Sequence, residues 1–340
     1  MATYAESGVN IDKGDLSSEI AYENAKKTFP SRAGMIGEPV KDEGGFTGAM
    51  DMGDFYLVQN DDGIGTKMEV AERMQKFDTI GYDLVAMVAD DAACAGAECI
   101  SISNTIDADE VKPEQIKEMM EGLGKACAEH KIVIPGGEIA ELGKALNGYV
   151  WNATAVGVME KTKRITGEKI ASGDVLIGLM SPGFRSNGLS LVRHVMKAKF
   201  GEDWVLAPYE GKKYAGKTWG EVVLIPSVIY HSLIMELHGR YGQPSKVNLK
   251  GVAHITGGGI YENFARVTKK TGAKVNWNLP APSEEMALMQ KLGEVSDDEA
   301  YHTWNMGIGM ILVVAKDEQE KTMEIIKANG FEAQVVGEIA

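Results

Sequence analysis

Apolar positions along the 340-residue chain recur in two rhythms. Short runs at 55–58, 99–106, 132–135, 149–159, 174–179, 252–255, 273–277 and 333–338 are continuous or alternate in polarity, which predicts strands. Longer segments with apolar residues three and four apart predict helices over 18–28, 68–77, 79–97, 113–129, 189–200, 221–237 and 317–329, and another from 260. In the segment 79–97, Ile80, Leu84, Met87, Val88, Ala92 and Ala95 form one apolar face, which Asp90 and Asp91 interrupt. Pro226 predicts a kink in the 221–237 helix. Ser186 or Asn187 is expected to cap the helix at 189, and the run 132–135 to be a buried strand. Strand and helix alternate in both halves, so the expected class is α/β (α+β) in two domains, each a sheet covered by helices. The polar stretch 160–173 sets the expected boundary, giving domains 1–165 and 166–340.

Charge narrows the partners. Lys+Arg number 35 against 49 Asp+Glu, a net charge of −14. Neither nucleic acid nor an anionic membrane surface is attracted to such a field. The apolar stretch 306–315 is too short to span a bilayer, and the polar N-terminus is unlike a signal peptide. Cys94, Cys99 and Cys127 are odd in number and form no C-x-x-C, so no disulfide framework or thiolate zinc site is expected; a reducing cytoplasm fits.

The chemistry gathers at strand ends. Residues 60–68 read Asn-Asp-Asp-Gly-Ile-Gly-Thr-Lys-Met. Gly63 and Gly65 let backbone N–H groups approach an anion, and Lys67 supplies a point charge for phosphate. Adjacent carboxylates would repel a bare phosphate, so they make most sense holding Mg²⁺ that bridges to one. A Gly44-Gly45-Phe46 loop precedes this stretch, and a Gly-Gly-Glu-Ile-Ala-Glu run with Glu138 follows the strand at 132–135. Arg185-Ser186-Asn187 opens a helix, and Gly257-Gly258-Gly259 joins a strand to a helix with more glycines than a tight turn needs. The Walker A spacing fails at 137–144, and candidate Rossmann fingerprints have Met68, Glu262 or Leu312 where the last glycine belongs. No H-E-x-x-H or G-x-S-x-G occurs. Three acidic clusters, a lysine and several Gly loops imply a nucleoside triphosphate held by Mg²⁺ without a P-loop.

In order along the chain, these motifs resemble the phosphoribosylformylglycinamidine cyclo-ligase (aminoimidazole ribonucleotide synthetase) family nearly end to end. The matching stretches are 4–12, Gly44-Gly-Phe46, Asp62-Gly-Ile-Gly-Thr-Lys67, 77–87, Gly136-Gly-Glu-Ile-Ala-Glu141, Ser186–Arg193, His254-Ile-Thr-Gly-Gly-Gly259 and 305–310. The resemblance implies a homodimer whose N-terminal sheets build a barrel-like core, and a C-terminal α/β domain. It implies ATP-dependent ring closure of formylglycinamidine ribonucleotide to 5-aminoimidazole ribonucleotide in purine synthesis. By match, Asp62, Asp91 and Glu138 hold Mg²⁺. Gly44, Gly45, Phe46, Gly63, Gly65, Thr66 and Lys67 face ATP, and Arg185, Ser186, Asn187, Gly257, Gly258, Gly259 and Asn305 face the substrate. Asp62, Lys67 and Asn187 are the candidate catalytic residues. The chain departs from the family pattern at Asn10, Asp61, Asp90, Arg185 and Val228, most of them beside these positions. Two alternatives stand beside this reading. One is another ATP-dependent enzyme of the superfamily, similar to thiamine-phosphate kinase or a hydrogenase maturation factor. The other is a nucleotide-binding paralogue without turnover.

Overall fold

A computed structural model describes residues 3, 7, 8, 11–40 and 45–340; Asn10 and Gly44 lie outside them. The N-terminal half carries α1 (Ile11–Lys26), β1 (Glu38–Pro39), β2 (Gly48–Asp51), β3 (Phe55–Gly63), α2 (Lys67–Met74), α3 (Ile80–Cys94), β4 (Glu98–Ala108), α4 (Pro113–Glu129), β5 (Val133–Glu141) and β6 (Tyr149–Glu160). The C-terminal half carries β7 (Val175–Met180), α5 (Leu189–Phe200), α6 (Trp219–Val223), α7 (His231–His238), β8 (Gly251–His254), α8 (Gly259–Thr268), β9 (Val275–Trp277), α9 (Glu284–Gly293), α10 (Asp297–Thr303), β10 (Ile308–Val314), α11 (Gln319–Ala328) and β11 (Ala333–Ile339).

Among the described residues the first sheet has the order β1-β2-β3-β6-β4-β5. Its pairs are antiparallel except β4 with β5, which run parallel. A parallel pair needs a crossover, and α4 supplies it. Strict alternation on β6 defines the two faces. Tyr149, Trp151, Ala153, Ala155 and Met159 are buried beneath α2 and α3, while Val150 and Asn152 are exposed on the other face. Helices therefore cover one face of this sheet among the described residues, not both. The run expected as a buried strand at 132–135 is instead the start of edge strand β5, which pairs only with β4 and leaves Val133 and Ile139 exposed.

The second sheet has the order β8-β10-β7-β11-β9 and is antiparallel throughout. Every residue of β10 is buried, because the sheet is covered on both sides. Leu233, Ile234 and Leu237 of α7 and Ile326 of α11 pack with Ile177, Leu179, Met310 and Leu312. Ile260, Phe264 and Val267 of α8 pack with Leu176, Ile311 and Val313 in the other cluster. Helix α3 joins the halves: Leu84 and Val88 belong to the cluster that holds the first sheet, and Ala93 and Cys94 to the cluster around α7.

The single helix expected over 221–237 is two. Helix α6 ends at Val223 and α7 begins at His231, with Pro226 between them. Proline removes one N–H and clashes with the preceding turn. The break also frees the N–H groups of Ser227, Tyr230 and His231, which carboxylates of α3 accept.

Candidate active site

Strand β3 runs through the acidic motif, so Asn60, Asp61 and Asp62 lie on pleated backbone, not in a loop. Neighbouring strand side chains point to opposite faces. Asn60 is buried on the helix side and its Nδ2 donates to the Val88 carbonyl at 3.1 Å. Asp61 is exposed on the open face and accepts from the Thr154 hydroxyl. Asp62 returns to the helix side, half-buried, and accepts from the Gly63 N–H at 2.6 Å. The two acids therefore do not act as one pair. The chain passes close to β6 at Gly63: a Cβ there would lie 3.0 Å from the Trp151 carbonyl oxygen and would push aside the exposed Asn152 side chain. Gly65 at φ 63° turns the chain into α2, with Thr66 at the N-cap making no side-chain cap bond.

Helix α3 brings three carboxylates to the junction of the halves. Asp83 and Asp90 are seven residues apart, two turns on one face. Asp83 accepts from Lys67 Nζ at 2.7 Å and from Ser227 through both its N–H (3.1 Å) and its Oγ (2.5 Å). Lys67, expected at the triphosphate, is fully buried here and also donates to the Ile225 carbonyl at 2.8 Å. Burial pulls its ammonium below the ordinary lysine value, and Asp83 opposes that pull. Asp90 is equally buried. It accepts from the N–H groups of Tyr230 and His231, both at 2.8 Å, and from Arg185 Nη2 at 3.3 Å. Burial pushes the Asp90 carboxyl up while His254 and Arg185 pull it down. Asp90 and Arg185 thus meet as a buried ion pair, in which each charge compensates the other.

Asp91 faces the other way. It contacts His254 Nδ1 at 2.8 Å, and burial pushes its carboxyl up to about 7. Asp62 is pushed up to about 6, chiefly by burial and further by the charge of Asp91, while its bond from the Gly63 N–H opposes the rise. His254 is held down to about 3 by burial and by Arg185, so its ring is neutral. Asp62 and Asp91 thus sense each other's charge, and among the described residues no ammonium or guanidinium is bonded to either.

Three loops meet one another next to Asp62. The Gly65 Cα hydrogen side faces the Ser186 carbonyl, 3.9 Å from an ideal Cβ, and Gly257 faces Asn187 Nδ2 at the same distance. The expected cap at 189 is Gly188 at φ 71°, not Ser186 or Asn187. Ser186 Oγ points to Asp83 at 3.5 Å, and Asn187 Oδ1 is buried without a partner among the described residues. An orphaned buried acceptor costs free energy unless a ligand satisfies it. Gly258 (φ 90°) and Gly259 (φ 64°) need glycine for their backbone, and a Cβ at Gly259 would lie 1.9 Å from the Tyr301 carbonyl. Asn263 holds this loop, its Nδ2 donating to the carbonyls of Gly257 (3.0 Å) and Gly259 (2.8 Å). Asn305 is buried and braces the 181–188 loop instead: its Nδ2 donates to the Gly183 carbonyl and its Oδ1 accepts from the Gly307 N–H.

A small cleft, open to solvent, lies between the 45–47 turn and α8. Arg164, Arg266, Lys269 and Lys270 line it, a basic wall in an acidic chain. Arg266 stacks on the Phe46 ring at 3.9 Å and donates to the Gly45 carbonyl at 2.8 Å. Arg266 also lies close enough to Asp91 to pull its carboxyl down. Glu138 is exposed on β5, and among the described residues no three of His, Cys, Asp and Glu converge on one point, so a cation here would take its remaining ligands from phosphate and water.

Residues 45–159 match the family model for the AIR synthase related protein N-terminal domain, and residues 171–340 that for its C-terminal domain. Phosphoribosylformylglycinamidine cyclo-ligase of Thermococcus kodakarensis is 38% identical over 341 residues, covering 100% of this chain and 96% of the relative. The chain belongs to the phosphoribosylformylglycinamidine cyclo-ligase family. Among solved structures, thiamine-monophosphate kinase from Stenotrophomonas maltophilia K279a has the same fold, with a TM-score of 0.60 at 14% identity, covering 92% of each chain. The hydrogenase maturation protein HypE in complex with ATP aligns at a TM-score of 0.58 and 14% identity, covering 83% of this chain and 76% of that one. These two are fold relatives of the cyclo-ligases.

Within this cyclo-ligase family member, Asp83 and His254 are the buried partners that sequence reasoning did not single out. A visible signal existed for Asp83: it stands seven residues before Asp90 in an otherwise apolar helix. His254 had none, because its two partners, Arg185 and Asp91, are 69 and 163 residues away.

Proposed function

We propose that this protein is an ATP-dependent cyclo-ligase, which closes formylglycinamidine ribonucleotide to 5-aminoimidazole ribonucleotide and releases ADP and phosphate. The observation that carries the reading is the meeting of the 63–66, 185–187 and 257–259 loops beside Asp62, whose carboxyl is raised in part by the charge of Asp91. ATP transfers its γ-phosphoryl group to the formyl amide oxygen. The ring-closing nitrogen then adds to that carbon, the C–O bond breaks, and the oxygen leaves within phosphate. Such chemistry asks for positioning and charge neutralisation more than for covalent help.

Asp62 and Asp91 offer hard oxygen donors with raised proton affinity, which fits Mg²⁺. A bound Mg²⁺ would neutralise the phosphates. Glu138 is the expected third donor. The backbone of Gly63 and Gly65 and the Thr66 hydroxyl face ATP, with Gly44, Gly45 and Phe46 at its phosphates. Asn187 Oδ1 takes a donor of the substrate, and Gly257, Gly258 and Gly259 approach its ribose phosphate. Arg185 and Ser186 shape that side from within, and Asn305 through the backbone it holds. Lys67 acts by fixing Asp83 and the 225–227 turn.

We read the chain as two domains, 1–165 and 166–340, and as a homodimer. The open face of the first sheet exposes Ile100 and Val150, and edge strand β5 exposes Val133 and Ile139, apolar surface that a second copy would cover. A net charge of −14 supports no nucleic-acid role, and among the described residues no helix is long and apolar enough to cross a membrane. We place the reaction in the cytoplasm, where its nucleotide substrates are. Purified protein with Mg²⁺-ATP and formylglycinamidine ribonucleotide tests the reading. Phosphate and aminoimidazole ribonucleotide in equal amounts are expected. Binding of ATP with neither product overturns it in favour of a paralogue without turnover.

A further inference from the structure

His254 sits between Arg185 and Asp91, and the proposed reaction gives it no role of its own. Its Nε2 lies 2.8 Å from Arg185 Nη2, and its Nδ1 lies 2.8 Å from Asp91 Oδ1. The ring has no exposure. Arginine carries donors only and keeps its charge inside proteins. Nε2 must therefore accept, and the ring proton must sit on Nδ1, where it donates to Asp91. Arg185 is itself held rigidly. It is 1% exposed, its backbone is left-handed at φ 57°, its Nη1 donates to the Val228 carbonyl at 2.9 Å, and its Nη2 meets Asp90. A left-handed non-glycine residue persists only where its surroundings over-determine it.

We propose that His254 is a positioning residue for the cation site: Arg185 fixes its tautomer, and the Nδ1–H it thereby presents aims Asp91 at the metal. This rests on the reading of Asp62 and Asp91 as Mg²⁺ ligands. One oxygen of Asp91 is tied to the ring, which leaves the other to the cation, and the carboxylate cannot swing toward Asp90 on the same helix. Outer partners of ligating groups commonly govern metal affinity in this way.

Two substitutions separate the ring nitrogens. In His254→Asn the side-chain amide nitrogen occupies roughly the place of Nδ1 and keeps the bond to Asp91. In His254→Gln the amide reaches the place of Nε2 and keeps only the Arg185 side. Mn²⁺ affinity, read by electron paramagnetic resonance with and without ATP, is the measurement, and thermal melting confirms that both variants fold. His254→Gln is expected to bind Mn²⁺ about 10-fold or more weaker, the usual range for outer-partner loss, while His254→Asn stays within about twofold of the wild type. Equal losses in both variants, or wild-type affinity in His254→Gln, overturn the proposal, as does a wild-type protein that binds no Mn²⁺. If the wild type binds Mn²⁺ and ATP and the variants differ as stated but no ring-closed product forms, the proposal stands and the cyclisation reading falls.

Discussion

Asp90 and Asp91 are adjacent on α3, yet they belong to two different regions of the molecule. Asp90 accepts two backbone N–H groups and faces Arg185, and Asp83, two turns earlier, is matched in the same way by Lys67 and Ser227. Together these make a seam of compensated charge that docks α3 onto the 225–231 segment. Among the described residues Asp91 and Asp62 have no cation bonded to them, and both are pushed above the usual carboxylate range. Residue type is the same in both regions, so type does not separate structure from chemistry. Charge pairing does: a buried carboxylate with a cation bonded to it, as Asp83 and Asp90 have, holds the fold, and one without such a cation is free to take a ligand's.

The largest effect should come from breaking the seam. Lys67→Met or Arg185→Met leaves a buried carboxylate unpaired, and each should cost about 3–5 kcal/mol in urea unfolding. The double variant Asp90→Asn, Arg185→Met removes both charges and should cost clearly less than Arg185→Met alone. A double variant as damaged as the sum of its parts would mean that the two residues do not compensate each other.

The open pair should respond in the opposite sense. Asp62→Asn should lower phosphate release by about 10²-fold or more, since transition-state charge is left unneutralised, with the melting temperature unchanged or raised. A large loss of stability here would move Asp62 into the seam.

A pH series sharpens the same contrast. The folded-state values of about 6 for Asp62 and about 7 for Asp91 lie above those of unfolded aspartate, so the folded chain holds more protons in between. Their contribution to stability therefore declines as pH rises from about 4 to 7. Millimolar Mg²⁺ should restore a few degrees of melting temperature at about pH 8 and little at about pH 5, where the carboxyls are protonated. A Mg²⁺ effect that ignores pH would count against the pair.

Asn187→Ala is the mildest test. Losing one ligand hydrogen bond should raise KM for the nucleotide substrate about 5–10-fold. Folding stability should change by less than about 0.5 kcal/mol, because the Asn187 Oδ1 has no partner among the described residues.

Local patterning alone determined much of this protein. Helix Pro113–Glu129 and helix Leu189–Phe200 follow from a first-turn proline and from apolar spacing, and both lie where the periodicity puts them. The glycines of 63–65 and 257–259 announced close backbone approach, and they do line the meeting loops. Even the two-sheet α/β class follows from alternation of short apolar runs with helical periods.

Tertiary structure decided which polar residues meet. Asp61 and Asp62 look like a pair in the sequence, but the strand pleat sends them to opposite faces. Lys67 looks like a phosphate ligand, but Asp83, sixteen residues on, holds it in the interior. The apolar run 221–237 contains two helices, because freed N–H groups beyond Pro226 found carboxylates on α3, 140 or more residues away in the chain. Periodicity is a local property that short sequence windows carry. Charge compensation depends on which side chains share a desolvated space, and only the folded chain brings Arg185, His254 and Asp91 into one.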